Sequence, residues 1–142
     1  MSKSASPPGV RGELNHVEVW VTNLERAIAT WAWLLESLGY SPFQKWAVGR
    51  SWLLRGTYIV IEQSTAISAK HHDRCRPGVN HLAFHAGRYQ DVDDLVGRAG
   101  AHGWSLLFAD RHPHAGGPEH YAAYLEDQDG FEVELVGVPD QG

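Results

Sequence analysis

Two histidines and two glutamates define the chemistry available to this sequence. His16 lies in Leu14-Asn15-His16-Val17-Glu18-Val19-Trp20, and His81 in Val79-Asn80-His81-Leu82-Ala83-Phe84-His85. Both segments read apolar-Asn-His-apolar-x-apolar. Glu62 and Glu134 each fall in a later strand-like run, residues 57–63 and 131–136. Two imidazoles and two carboxylates converging on one surface suit a divalent first-row metal. Imidazole favours zinc, iron, nickel or copper, and carboxylates admit manganese. With two waters these four ligands make an octahedral site whose open positions can take a substrate with adjacent oxygens. Such a metal polarises a carbonyl, enol or catechol oxygen, and Glu134 or Glu62 beside it can move a proton. Glu18, His85 and Glu132 share the ligand parities and are candidates for orienting the ligands. A single strand histidine is more often satisfied by its neighbours. Repetition of both residue types at matching positions argues for the metal.

The elements that must hold these residues read as two copies of one unit. Residues 14–21 alternate, with Val17, Val19 and Val21 on one face and His16, Glu18 and Trp20 on the other. Thr22-Asn23-Leu24-Glu25 fits a capping box with Thr22 as the cap. The helix that follows carries Leu24, Ile28, Trp31, Leu35 and Leu38 as an apolar stripe and ends at Gly39. Strands are expected over 40–46, 51–55 and 57–63, with turns at 48–50 and Gly56. The pattern then restarts. A strand at 79–86 is followed by a helix at 91–102, with Val92, Leu95, Val96 and Ala99 on one stripe. Strands at 104–110, 120–125 and 131–136 complete the unit, with an Asp127-Gln128-Asp129-Gly130 turn before the last. The chain thus divides into a flexible tail (1–12), a first βαβββ module (13–64), a polar linker (65–77) and a second βαβββ module (78–137). His71, His72 and Cys75 fall in the linker and lack the spacing of a zinc site.

Composition excludes several classes. A chain of 142 residues has room for one domain or two small modules. The net charge of −5 and the scattered basic residues argue against nucleic acid. No apolar run approaches the ~20 residues of a membrane helix, and no signal-peptide core opens the chain. One cysteine, Cys75, precludes an internal disulfide and points to a reducing cytoplasm.

With these residues in view, the chain resembles the vicinal oxygen chelate superfamily of glyoxalases, methylmalonyl-CoA epimerases, extradiol dioxygenases, and fosfomycin and bleomycin resistance proteins. The resemblance spans residues 14–136. It rests on the two Asn-His segments and on Asp127-Gln128-Asp129-Gly130-Phe131-Glu132-Val133-Glu134-Leu135, where Gln128 replaces the family's usual proline. It implies an α+β fold in which paired modules form curved mixed sheets around a cup-shaped site. It also implies a homodimer, and His16, Glu62, His81 and Glu134 as ligands of a divalent metal (zinc, nickel, manganese or ferrous iron). Four ligands are similar to the glyoxalase and epimerase pattern, which implies a lyase or isomerase acting on a small oxygen-bearing substrate. Extradiol dioxygenases use two histidines and one glutamate, here His16, His81 and Glu134, on ferrous iron. Bleomycin-resistance-type members lack a metal and sequester aromatic ligands.

Nine histidines and six tryptophans suit a polar site with aromatic walls. Trp20 shares a face with His16, and Trp46, Trp52 and Tyr58 lie on strands of the first unit. These are expected to line the site, whereas Trp31 belongs to the helix core. The loop 112–121 carries glycines that permit movement, and His114, His120 and Tyr121 there, with His85, are candidate substrate contacts.

Overall fold

The computed structural model describes residues 8–140; residues 1–7 of the expected tail and 141–142 lie outside the described residues. The chain divides into two compact units between Lys70 and His71.

In the first unit, β1 (His16–Trp20) leads to α1 (Leu24–Ser37), then β2 (Ser41–Trp46), β3 (Gly49–Leu54) and β4 (Thr57–Glu62). The sheet order is β1-β4-β3-β2. β1 runs parallel to β4 and the other pairs are antiparallel, because β2, β3 and β4 are joined by two-residue hairpins and β1 must cross over through α1. The helix cap is Asn23 rather than Thr22: the Asn23 side chain accepts from the Arg26 amide at 3.0 Å, while the Thr22 hydroxyl donates to the Lys70 carbonyl. Helix burial is also rotated from the expected stripe. Ala27, Thr30, Trp31, Leu34 and Leu35 are buried, and Leu24, Ile28 and Leu38 are half-buried. Small residues at 27 and 30 let the helix lie close to the sheet, and burying Leu34 and Leu35 contributes about 1.5–3 kcal/mol each. Gly39 ends the helix with φ +101° as expected.

The second unit repeats the plan. β5 (His81–Arg88) and α2 (Tyr89–Ala99) are followed by a short 3-10 turn (Gly100–His102), then β6 (Ser105–Leu107), β7 (Ala122–Glu126) and β8 (Glu132–Val138). The sheet order is β5-β8-β7-β6, again with the first pair parallel. Val92, Leu95 and Ala99 bury the inner face of α2. Strands β6 and β7 are shorter than their sequence patterns, so His120 lies in the loop before β7 rather than on it. The Asp127–Gly130 turn is organised by its first residue: one Asp127 side-chain oxygen accepts the amides of Asp129 and Phe131, both at 2.9 Å. Gly130 has φ +93° and lies against the His72 carbonyl, where a Cβ would come within 2.4 Å.

His72 shows that the sequence linker is not free. Its amide donates to the Asp129 carbonyl at 2.9 Å, and its ring stacks on Phe131 at 4.4 Å. Residues 71–77 therefore dress the second unit. Among the described residues, no helix is long and apolar enough to cross a membrane.

Candidate metal centre

The second unit holds the more complete constellation. Parallel pairing sets His81 opposite Glu132 and Ala83 opposite Glu134, all on one face of the β5–β8 pair. The side chain facing Glu134 across β5 is only the Ala83 methyl. Glu134 leans back one pleat to His81, bringing Oε1 to 3.0 Å from Nε2. The other ring nitrogen, Nδ1, donates to the Asn80 side-chain oxygen at 2.7 Å. The Asn80 amide is oriented by its own nitrogen, which donates to the Arg74 carbonyl at 3.0 Å. Asn80 thus keeps the imidazole proton on Nδ1 and leaves the Nε2 lone pair directed at Glu134.

That geometry sets two acceptors against one ring. A neutral imidazole has one N–H, so with Asn80 taking it, Nε2 and Glu134 Oε1 meet as two lone pairs. The contact is favourable only with a cation shared between them, either a second proton or a metal ion. A fixed imidazole nitrogen beside a buried carboxylate is a donor pair that fits a divalent metal. Among the described residues, no group of three or more His, Cys, Asp or Glu side chains is set as a finished metal site.

Around this pair the charges are compensated. The Glu132 side chain is only 5% exposed and is paired with Arg74 Nε at 2.8 Å. Arg74 also pairs with Glu126. Burial lowers the Arg74 guanidinium, but Glu126 and Glu132 outweigh it and hold the group above its ordinary value. His120 Nε2 contacts the second oxygen of Glu134. Tyr124, opposite Glu134 on β7, meets His81 edge-on at 5.9 Å. Burial pushes its phenol above the usual range, and the adjacent Glu134 adds to the shift.

The first unit repeats the asparagine device but not the carboxylate. His16 Nδ1 meets the Asn15 side-chain oxygen at 2.7 Å, the same distance as in the second unit. The ring stacks on Tyr58 at 4.8 Å. His16 is opposite Tyr58, and Glu62 is opposite Trp20, so Glu62 lies four strand residues from His16. In the second unit Glu134 lies two from His81. The first-unit position that matches Glu134 is Val60, which is fully buried. The expected equivalence of Glu62 and Glu134 is therefore corrected by one pleat. Two-residue periodicity identifies the face of a strand but not the height along it. Glu62 Oε1 instead accepts from the Trp46 indole at 3.0 Å. Trp46 reaches it by lying over Gly49, where a Cβ would come within 2.3 Å of the indole.

Other expected wall residues divide between the faces. Trp20 is exposed, and its indole donates to Glu18. Tyr58 is buried between His16 and Phe43. Trp52 departs from the expectation: it is 3% exposed and donates to Glu36 on α1, so it packs on the helix side. Tyr121 likewise turns toward α2, with its hydroxyl donating to Asp93 and its ring stacked on Tyr89. His114 lies edge-on to Tyr121 with Nδ1 at 3.3 Å from the His120 carbonyl. His85 is exposed on β5. Sequence reasoning missed Tyr124, Arg74 and the role of the two asparagines. The Asn-His repeat was the available signal for the last of these.

Comparison with known proteins gives a concordant result. A family model described as the Glyoxalase/Bleomycin resistance protein/Dioxygenase superfamily matches residues 15–124. The uncharacterized protein YqjT of Bacillus subtilis (strain 168) is 44% identical over 125 residues, covering 87% of this chain and 97% of the relative. A crystal structure described as "a putative glyoxalase from Bacillus halodurans" is 43% identical with a TM-score of 0.85, over 90% of this chain and 97% of that one. The fosfomycin resistance protein FosX of Listeria monocytogenes, complexed with Mn(II) and sulfate, shares the fold. Its TM-score is 0.61 at 20% identity, over 91% of this chain and 94% of FosX.

Proposed function

Because the chain belongs to the glyoxalase/bleomycin resistance protein/dioxygenase superfamily, we propose that it is a divalent-metal-dependent enzyme of the vicinal oxygen chelate type. It acts as a glyoxalase- or epimerase-like lyase or isomerase on a small oxygen-bearing substrate. The observation that carries this reading is the His81 ring, held by Asn80 on one nitrogen and turned to the Glu134 carboxylate on the other. A bound divalent cation would supply Lewis acidity to a substrate oxygen. His81 and Glu134 would hold it in the second unit; His16, whose Nδ1 is tied to Asn15 in the same way, is the corresponding candidate ligand of the first unit. Glu134, with one oxygen toward His81 and one toward His120, is also the carboxylate proposed to take a proton from a substrate carbon and return it. Manganese in FosX shows that a relative of this fold binds a divalent ion, which supports the class of metal rather than its identity.

Metal analysis of protein purified without an affinity tag tests the proposal. The expected result is bound metal, or a thermal shift on adding nickel, zinc, manganese or ferrous iron. Neither would sink it.

The register favours a second reading in one respect. Val60 at the position matching Glu134 supports leaving Glu62 out of the candidate ligands; His16, His81 and Glu134 then match in type the two-histidine-one-carboxylate pattern of ferrous oxygenases. Oxygen consumption with a catechol and ferrous iron would support that reading, and turnover without oxygen would exclude it.

A further inference from the structure

The loop between β6 and β7 ends in a contact that no feature of the repeat requires. His120 Nε2 meets Glu134 Oε2, while Glu134 Oε1 faces His81 Nε2. The Glu134 side chain is only 8% exposed, so each oxygen has one nitrogen neighbour and little water. The loop is built to bring His120 there. The amides of Arg111 and His112 donate to the Phe108 carbonyl, His114 to Arg111, Gly117 to His114 and His120 to Gly117, a continuous run of turns. The Ala122 amide then donates to the Pro113 carbonyl and ties the end of the loop to its start. Gly116 packs flat against the result: a Cβ there would meet the Tyr124 hydroxyl at 2.5 Å and His120 Cδ2 at 2.7 Å.

We propose that His120 is a positioning residue for Glu134, donating Nε2–H to Oε2 so that Oε1 alone is presented beside His81. The proposal rests on the metal reading above. A carboxylate free to rotate can present either oxygen or both. Held at Oε2 by a charge-assisted bond, Glu134 offers a single oxygen at a fixed place inside a nearly buried site. Tyr124 bounds the same carboxylate from β7, and Gly116 keeps His120 and Tyr124 in contact with the loop. The arrangement is local to the second unit.

The test compares wild type, His120→Ala and His120→Gln, since the glutamine side-chain N–H lies where Nε2–H lies. Mn(II) affinity, read from free Mn(II) by electron paramagnetic resonance, should fall about 10–100-fold in the alanine variant and recover to within about threefold in the glutamine variant. The Co(II) absorption envelope should be unchanged in the glutamine variant, because no ligand is lost. In metal-free protein, long-range 1H–15N spectra should show the His120 proton on Nε2, a readout that needs no metal. Alanine-variant affinity equal to wild type would overturn the proposal. So would a proton on Nδ1, or a glutamine variant as weak as alanine with an altered Co(II) spectrum, which would make His120 a ligand. Wild type that takes up no metal would instead overturn the metal reading, and the positioning claim with it.

Discussion

Replacing Glu62 and Glu134 separately by glutamine separates the two possible ligand sets. The magnitude follows from strand geometry. Residues rise about 3.3 Å each along a parallel strand, so the two-residue offset of Glu134 from His81 is about 7 Å and the four-residue offset of Glu62 from His16 is about 13 Å. The first gap is closed by the side chains, as the 3.0 Å contact shows. The second exceeds what two side chains can close onto one ion whose donors lie within about 2.0–2.2 Å. Loss of one charged partner at a buried site costs about 1.5–3 kcal/mol, or about 10–150-fold in affinity. Glu134→Gln is therefore expected to weaken Mn(II) or Ni(II) binding by that factor. Glu62→Gln, which keeps an acceptor for the Trp46 indole, is expected to change it by less than about threefold. Isothermal titration on untagged protein reads both, with melting temperatures to confirm folding. Equal losses in the two variants would refute the register argument and restore the four-ligand set.

Three further outcomes follow from the packing. Gly130→Ala should lower stability by about 1–2 kcal/mol from its positive φ alone, and by more because its Cβ meets the His72 carbonyl; urea unfolding measures it. Asn23→Ala should cost about 1 kcal/mol through the lost helix cap, whereas Thr22→Ala should leave the cap intact. The hydrogen bond to Asp93 pushes the Tyr121 phenol up to about 12, above the value of about 10 in an unfolded chain. Its stabilisation is thus present below pH ~10 and lost as pH rises toward 12. Tyr121→Phe should flatten the fall in stability over that window relative to wild type; an unchanged slope would show that the bond carries no linkage.

The fold was legible because its signals are local. Strand alternation placed Val17 and Val19 against His16, and Gly39 marked a helix end that needs positive φ. The Asn-His repeat announced the second unit. Quantities set by tertiary contact were not legible. Asn23 rather than Thr22 caps α1 because Thr22 is drawn to the Lys70 carbonyl. Trp52 has the composition of a ligand wall yet packs on the helix, because the run Ser51-Trp52-Leu53-Leu54 has no apolar–polar alternation that would assign its face, and β3 begins two residues before that run, at Gly49. The height of Glu62 along β4 depends on interstrand register, which periodicity cannot carry. His120 could be suspected as a site residue from its loop, but its attachment to Glu134 depends on how that loop folds.

The docking of residues 71–77 onto the second unit bears on where two such halves can be joined or exchanged. The obvious seam in the sequence is Pro77-Gly78, just before the repeated strand. A crossover there would separate Arg74 from Glu132, leaving a 5%-exposed carboxylate without its countercharge. It would also remove the carbonyl that orients Asn80, and with it the fixed tautomer of His81. A crossover between Lys70 and His71 keeps all of these within one inherited block. The portable piece of this protein is therefore longer than its repeat, and a shuffled or duplicated second half would need its preceding loop to arrive with the chemistry intact.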